Sequence, residues 1–582
     1  MPGNNTTLAA IFQQMADVTE LLGGNRFRVN AFQRAARSLQ ELGEDVAGID
    51  PGRLSKLDGI GSGTADRIRE YLDHGRIDEH EKLIKEVPAG VIKLLDIPGL
   101  GPKSVATLWQ QGGVTDTATL KKKLDTGELE KLPRMGKKTL ENIKKNLAFA
   151  ETAHQRIRIG EAMPLANWFV HQLRGLEPVE AVHYAGSLRR GRETVGDLDL
   201  LAIADPKQGE TISNAFVKLE VVEEVILKGA TKTSVRARTG AGRHIQVDLR
   251  VIEPEAAGAA LLYFTGSKDH NVRLRERAIA RKLKLSEYGL YKEDSETRVA
   301  GKTEEAVYKA LDLAYIPPEL REARDEIARA EKDTLPELVE LQEIQAELHA
   351  HTTASDGHWS IRELAAAAAD RGFHTVAITD HSKGQVQANG LNAERLEKHI
   401  EDVRAVAKEM KGKINVLAGS EVDILIDGKL DYPDSLLREL DIVVASPHAS
   451  LAQEPAKATK RLLKAIENRY VTILGHATGR IVNRRAGLHP DMKKLVEAAA
   501  QRGIAMEINA NHYRLDLRDT HARLALEHGV KLSINTDAHG PADLDQLIYG
   551  VLTARRAGAK REDVINTFAK PQLMKWINAT RP

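Results

Sequence analysis

The second half of the chain carries seven short apolar runs, AELHAHT, HTVAITDHS, INVLAGSEV, DIVVASPH, VTILGHAT, IAMEINAN and KLSINTDAH, each closing on polar residues. Helical patterns such as IRELAAAAADRG and RLEKHIEDVRAVAKEM separate most of them. Strands that alternate with helices and hold their polar residues at the strand C-termini predict a parallel α/β fold, a barrel above all, with the functional site at that end. Cysteine is absent. Disulfides, thiolate nucleophiles and cysteine-type zinc sites are therefore excluded, and any metal must rest on His, Asp and Glu.

That half cannot be the whole fold, because 582 residues exceed the ~250–300 at which single cores stop growing. A boundary falls near 317–345, where Pro317 and Pro318 precede RDEIARAEKDTLPELVELQEIQ, a stretch with seven acids and three bases. Its pattern predicts a helical acidic linker between two differently built halves. No run of ~18 apolar residues occurs, and the start MPGNNTTLAA has neither a basic nor an apolar leader region, so a cytosolic protein with no membrane partner is expected. The 84 Lys+Arg balance 83 Asp+Glu overall. Locally, Lys121–Lys145 holds nine bases against four acids and Lys268–Lys284 seven against two. Each cluster could serve as a DNA-facing stripe, but taken alone such a charge run reads more readily as a solvated helix face.

The first half is mostly helical to about Ala150 and contains a loose repeat, KLDGIGSGTADRI, LLDIPGLGPKSVATL and KLPRMGKKTLENI. Each copy sets glycines just before a helix start and resembles a helix-hairpin-helix element. Glycines permit a tight turn and close approach, so that N-terminal helix amides face a phosphate without reading sequence. Three copies at about 40-residue spacing favour DNA binding over capping alone, through Gly59, Gly61, Gly99, Gly101, Lys103, Gly136 and Lys137.

The run AGSLRRGRETVGDLDLL, followed about fifty residues later by HIQVDLR, is the strongest signal of that half. Asp197 and Asp199 stand two apart on a predicted strand and share a face, which Asp248 can join from a neighbouring strand. Three such carboxylates repel unless divalent cations bridge them, and two metals suit in-line phosphoryl transfer. Magnesium is the default ion, with manganese as substitute. Gly186 and Ser187, between a strand and a helix start, suit triphosphate oxygens, and Arg190 follows within one turn.

With YFTGSKDHNVRLRERA, these motifs resemble family X DNA polymerases over residues 1 to about 316. The resemblance implies that Tyr263 and Phe264 pack near the incoming sugar, that Gly266 allows close approach, and that Asn271 and Arg275 lie near nucleotide and template. One position departs from it. Members that remove a 5′-deoxyribose phosphate have a Schiff-base lysine where this chain has Arg67, and a guanidinium stays protonated and forms no imine. Lyase activity of the usual type is not expected unless another lysine substitutes.

From His349 the chain reads HAHTTASDG, which resembles the first motif of the PHP family, named for polymerases and histidinol phosphatases. The family's ligand positions fall on His349, His351, Asp356, His381, Glu421, His448, His476, Asp537 and His539, with none replaced. One histidine at a strand end is more often a hydrogen-bonded core residue than a ligand. Burying nine such groups without metals would carry a large desolvation cost, whereas imidazole with carboxylate suits Mn, Zn or Fe. The resemblance implies up to three ions and metal-assisted phosphoester hydrolysis. Asp380, Glu507 and Asn509 read as supporting residues at most. Arg480, Arg484 and Arg485 read equally as phosphate contacts or a solvated loop.

The expected architecture is multidomain: a helical DNA-binding domain (1–85), helix-hairpin-helix fingers (86–150), an α+β nucleotidyltransferase palm (151–255), a thumb (256–316), the linker (317–345) and a distorted TIM-like PHP barrel (346–582). The expected activity is gap-filling synthesis on gapped or primed DNA from dNTPs, joined to 3′–5′ exonuclease with related 3′-end or abasic-site cleavage, by a monomer. Two rivals stand beside it, a PHP half that only positions DNA, and template-independent nucleotide addition.

Overall fold

The computed structural model describes residues 4–42, 45–57, 59–97, 100–133, 135–136, 139–140, 143–144 and 156–581. It divides into two compact units, Met1–Gln155 and Arg156–Pro582.

The first unit is helical. Asn4–Leu21 and Arg26–Glu41 share an apolar seam of Leu8, Phe12, Met15, Phe32 and Ala35, buried in one cluster with Ile68 and Val105. Gly61 and Gly101 directly precede Ser62–His74 and Pro102–Gln110, and among the described residues no side chain caps either helix, a start whose first-turn amides suit water or a ligand. Lys103 and Gly136 are exposed; Gly99 and Lys137 lie outside the described residues. Arg67 pairs with Glu79 and packs 5.5 Å over the Phe32 ring.

The second unit begins with a five-stranded sheet in the order Ala181–Tyr184, Asp197–Ile203, His244–Ile252, Lys232–Arg238, Val222–Leu227. Its central pair is parallel and its other pairs antiparallel. Ile159–Arg174 and Gly209–Phe216 contribute Phe169 and Phe216 to the same buried cluster as the sheet's alternate residues Leu198, Leu200 and Ala202. Helices Ala257–Thr265 and Lys268–Ala280 follow, then a three-stranded antiparallel sheet and the helix Glu304–Ala310.

All seven apolar runs contain strands, from Ala346–Glu347 to Leu532–Asn535, paired in parallel and in chain order. A parallel bridge between Ala350 and Ala538 joins the first strand's continuation to the last, so the barrel nearly closes. Strands such as Ile442–Ser446 are buried throughout, which accounts for their unbroken apolar sequence. Helix Leu547–Ala557 serves two cores. Leu547, Val551 and Ala554 enter the barrel's cluster, while Tyr549 and Leu552 pack on the cluster of the five-stranded sheet.

The stretch 317–345 packs into the cores on both of its sides. Its α-helix is confined to Glu326–Glu331. Leu320, Ala330 and Leu338 join the core of the preceding helices, and Val339 joins the barrel's. Arg321 is wholly buried, 2.6 Å from Glu304 and stacked near Tyr308 and Tyr315. Six of its acids also have cationic or imidazole partners, Asp325, Glu331 and Glu343 among them: Glu319 meets Arg555 at 2.7 Å, Glu322 meets Arg556 at 2.7 Å, and Glu326 meets His270 at 2.8 Å. A charge run reads the same in sequence whether water or distant arginines neutralise it.

Candidate active sites

In the five-stranded sheet, the parallel register sets Asp199 opposite Asp248 and Asp197 opposite Gln246. The three carboxylates thus gather on one face, as side-chain alternation requires. Burial, then the charges of Asp197 and Asp248, pushes Asp199 up to about 7. Asp197 is raised too, by burial and then Asp248. Burial also works against the charged form of Asp248, but hydrogen bonds from Lys232, Gln246 and Ser234 hold its carboxyl below the usual range. The Lys232 ammonium stands 2.8 Å away. Two raised carboxyls are surplus negative charge, the condition a hard divalent cation relieves, so the donor set fits magnesium or manganese.

Gly186 opens the short helix Gly186–Arg189 at φ +61°, and a Cβ there would come 2.4 Å from an Asp199 oxygen. Only glycine meets both demands. Ser187 is half-buried beside it. Arg190 is tied by Nε to Glu322 at 3.1 Å and donates through Nη1 to the Thr265 carbonyl at 2.5 Å. Its neighbour Arg189, absent from the sequence-derived set, forks onto Glu304 at 2.9 and 2.6 Å and also donates to Thr265 Oγ1. Burial opposes the Glu304 charge, yet Arg189 and Arg321 bring its carboxyl down to about 2. Tyr263 and Phe264 meet edge to face at 5.1 Å, and Arg250 lies 4.2 Å over the Phe264 ring. Asn271 donates to the Tyr263 carbonyl at 2.7 Å, Gly266 holds φ +68°, and Arg275 is exposed. Within the basic run after Lys268, Arg277 pairs with Glu331 and Arg281 with Asp312.

At the barrel mouth all nine donors converge. Glu421 is the hub: His476 Nε2 lies 2.8 Å from it, His381 Nδ1 2.9 Å, His448 Nε2 3.2 Å and His349 Nε2 3.4 Å. Asp537 stands 2.9 Å from His351 Nε2, and Asp356 3.3 Å from His539 Nε2. Three overlapping sets bring donor atoms within 4.8 Å of one another: His351, Asp356, His381 and His539; His349, His351, Glu421 and Asp537; and His381, Glu421 and His448. Both Glu421 oxygens, Asp537 Oδ1, His349 Nε2, His448 Nε2 and both nitrogens of His351 and His476 are buried without a hydrogen bond. Such orphaned atoms are costly unless cations satisfy them, so these residues fit a metal cluster.

Without ions, three of these histidines, His349, His448 and His539, are pushed toward their protonated forms and His351 away from it. Burial works against the charged form of each, but Glu507, Glu421 and Asp537 keep His349 raised well above the usual imidazole range. Glu421 and Asp423 lift His448 to about 9, and Asp356 with Asp537 lifts His539 to about 9. Burial and His381 lower His351 to about 4.

An outer ring orients these donors. Glu507 accepts from His349 Nδ1 at 2.7 Å and from the His476 amide at 2.7 Å. Asp423 accepts from His448 Nδ1. Asp380 gathers Thr352, Ser355 and His399, and Asn509 donates to Asp537 at 3.0 Å. Partners of this kind fix ring orientation and raise ligand basicity. Sequence reading passed over Asp423, although Glu421 and Asp423 stand two apart on one strand. Arg480 is neither solvated nor at the mouth's donor cluster. It is largely buried, at 12% side-chain exposure, and meets Glu193 at 2.6 Å. Among the described residues, no helix is long and apolar enough to cross a membrane.

Comparison with known proteins assigns these regions by likeness. Residues 3–77 match a helix-hairpin-helix domain, 91–148 a SAM-like helix-hairpin-helix tandem, 260–322 the DNA polymerase beta thumb, and 347–511 the PHP domain. The DNA polymerase/3′-5′ exonuclease PolX of Bacillus subtilis (strain 168) is 39% identical over 556 residues, 96% of this chain and 96% of that protein. A probable phosphatase of Thermoanaerobacter sp. (strain X514) is 30% identical over 232 residues, 38% of this chain and 89% of its own length. One of Caldanaerobacter subterraneus subsp. tengcongensis is 29% identical over 231 residues, 38% and 85% respectively.

Proposed function

The chain belongs to the PolX family, family X DNA polymerases with a C-terminal PHP domain, and from that premise we propose that it both fills short DNA gaps and hydrolyses 3′ ends. Synthesis proceeds at Asp197, Asp199 and Asp248. Gly186, Ser187 and Arg190 receive the triphosphate, Tyr263, Phe264, Gly266 and Asn271 bound the nucleotide, and Arg275 meets the template. The hairpin glycines, with Lys103 and Lys137, grip DNA backbone. The aspartates would hold magnesium or manganese ions, which would supply charge neutralisation for phosphoryl transfer. The chain's own part is placement: the parallel register spaces the acids, and Gly186 lets the nucleotide helix approach them.

At the barrel mouth the nine donors would hold up to three Mn or Zn ions, which would supply Lewis-acid activation for phosphodiester cleavage. Glu507 and Asp423 keep His349 and His448 oriented and basic. The single observation that carries this reading is the set of orphaned, converging donors, which a purely structural PHP half would have no reason to bury. The protein acts in the cytosol as a monomer, with domains at 1–85, 86–150, 151–255, 256–316 and 346–582 joined through 317–345.

The test uses a labelled gapped duplex with Mg²⁺ or Mn²⁺. Wild type extends the primer with a choice that changes across the four template bases, and without nucleotides shortens it from the 3′ end. Hydrolysis that survives undiminished in His349→Ala overturns the barrel assignment. Insertion that ignores the template base overturns the synthetic one.

A further inference from the structure

The palm loop that carries Arg190 is seated on the barrel half at three points. Gly191, at φ +67°, approaches helix Leu547–Ala557 so closely that a Cβ would lie 3.2 Å from Leu552 Cβ. Arg556 of the same helix donates to the Arg190 carbonyl at 2.8 Å. Two residues past Gly191, Glu193 is held by Arg480 at 2.6 Å from the barrel's 480–485 loop.

Arg556 does more than fasten the backbone. Its Nη1 also lies 2.7 Å from Glu322, and its Nη2 2.8 Å from Asp519. Glu322 is the carboxylate that receives Arg190 Nε at 3.1 Å. The order is therefore Arg190, Glu322, Arg556, Asp519, and Arg324 meets Asp519 at 3.2 Å. Glu322 and Arg556 are almost wholly buried, at 7% and 3% side-chain exposure, so water does not screen the chain. Burial works against the Glu322 charge, but Arg556, Arg190 and Arg192 hold its carboxyl far below the usual range.

We infer that Arg556, a residue of the PHP half, is a positioning residue for the polymerase half: by sharing Glu322 with Arg190 and holding the Arg190 carbonyl, it sets the guanidinium plane presented to the nucleotide. With Nε on Glu322 and Nη1 on the Thr265 carbonyl, that plane is fixed. When Arg556 is lost, Glu322 keeps its charge with one fewer partner and draws Arg190 toward itself, away from a phosphate. The inference rests on Arg190 being a triphosphate contact, and the experiment separates the two claims.

Single-nucleotide insertion on a gapped duplex is measured for wild type, Arg190→Ala, Arg556→Met, Arg556→Lys and the Arg190→Ala/Arg556→Met double variant, reading KM for the dNTP and kcat separately. Hydrolysis of a single strand with Mn²⁺ and the thermal midpoint report folding. Arg556→Met is expected to raise KM about tenfold with a smaller change in kcat, as a lost binding contact does. Arg556→Lys, which keeps the charge but cannot serve all three oxygens, recovers part of that loss. In the Arg190→Ala background the Arg556 substitution adds nothing to KM, the non-additivity expected of one linked unit.

Equal and additive KM increases in both backgrounds overturn the positioning role, as does an unchanged KM in Arg556→Met. If Arg190→Ala itself leaves KM unchanged, it is the triphosphate assignment that fails. Should Arg556→Met lose its fold, Arg556→Lys decides: a raised KM that vanishes in the Arg190→Ala background supports the inference, and an unchanged KM overturns it.

Discussion

The two sites of this molecule are built to opposite plans. The barrel mouth surrounds its donors: Glu421 and His349 are inaccessible, and Glu507 and Asp423 brace the rings from behind. The palm face leaves Asp197 exposed as a residue even though its carboxyl is partly desolvated, and among the described residues Lys232 is the ammonium that meets Asp248. The difference teaches where each site keeps its organisation. The barrel stores it in the fold, as buried groups whose geometry is set before ions arrive. The palm supplies a strand register and a glycine, and on the proposed function completion falls to nucleotide, DNA and ions.

The sharpest break in that comparison comes from the hub. Glu421→Gln is expected to lower hydrolysis by about 10³-fold or more, since it removes the carboxylate common to two donor sets, while gap filling persists in the same preparation. Parallel polymerase and nuclease assays check it. Gly186→Ala acts on the other side: its Cβ displaces Asp199 and should lower insertion about 10²-fold through misplacement, with hydrolysis retained. Asp423→Asn keeps all nine ligands but loosens His448, so metal affinity measured by competition with a chelator should fall about 10- to 100-fold. An unchanged affinity would mean that the outer ring does not organise the site.

Proton release sharpens the comparison further. In the metal-free fold His448 and His539 titrate near 9 and His349 is also raised. Their charged forms stabilise the metal-free barrel below the unfolded imidazole pKa of ~6.5, and that contribution is lost as pH rises through about 9. Ions require neutral imidazole, so uptake at pH 7.5 should expel about two to three protons, and affinity should climb toward pH 9. Calorimetry in buffers of different ionisation enthalpy measures this. The palm shows the smallest effect, with the opposite sign. A carboxyl raised to about 7 costs stability as pH rises from the unfolded value toward 7 and above. Asp199→Asn should therefore raise the metal-free thermal midpoint at pH 8 by about 2–4 °C and leave it unchanged at pH 4.

Much of this was legible because both sites use short-range patterns. Asp197 and Asp199 two apart on a strand, glycine before a helix, and polar residues closing apolar runs are local signals, and each has a counterpart in the fold. The connections between halves were not legible. Arg480 and Glu193 are separated by 287 residues and Arg556 and Glu322 by 234, and nothing near either partner marks the pairing. The pairing of Arg321 and its neighbouring acids in 317–345 inside the fold was equally hidden. Asp423 is a different case, since its two-residue spacing from Glu421 was visible and only its role as a brace for His448 needed the structure.

The central claim is that one chain runs two chemistries at separate sites. Its most direct test gives one labelled, gapped duplex to Asp197→Ala and His349→Ala, with and without nucleotides. Asp197→Ala should lose extension and keep 3′ shortening, and His349→Ala should lose shortening and keep extension. Loss of both activities in either variant would contradict the account.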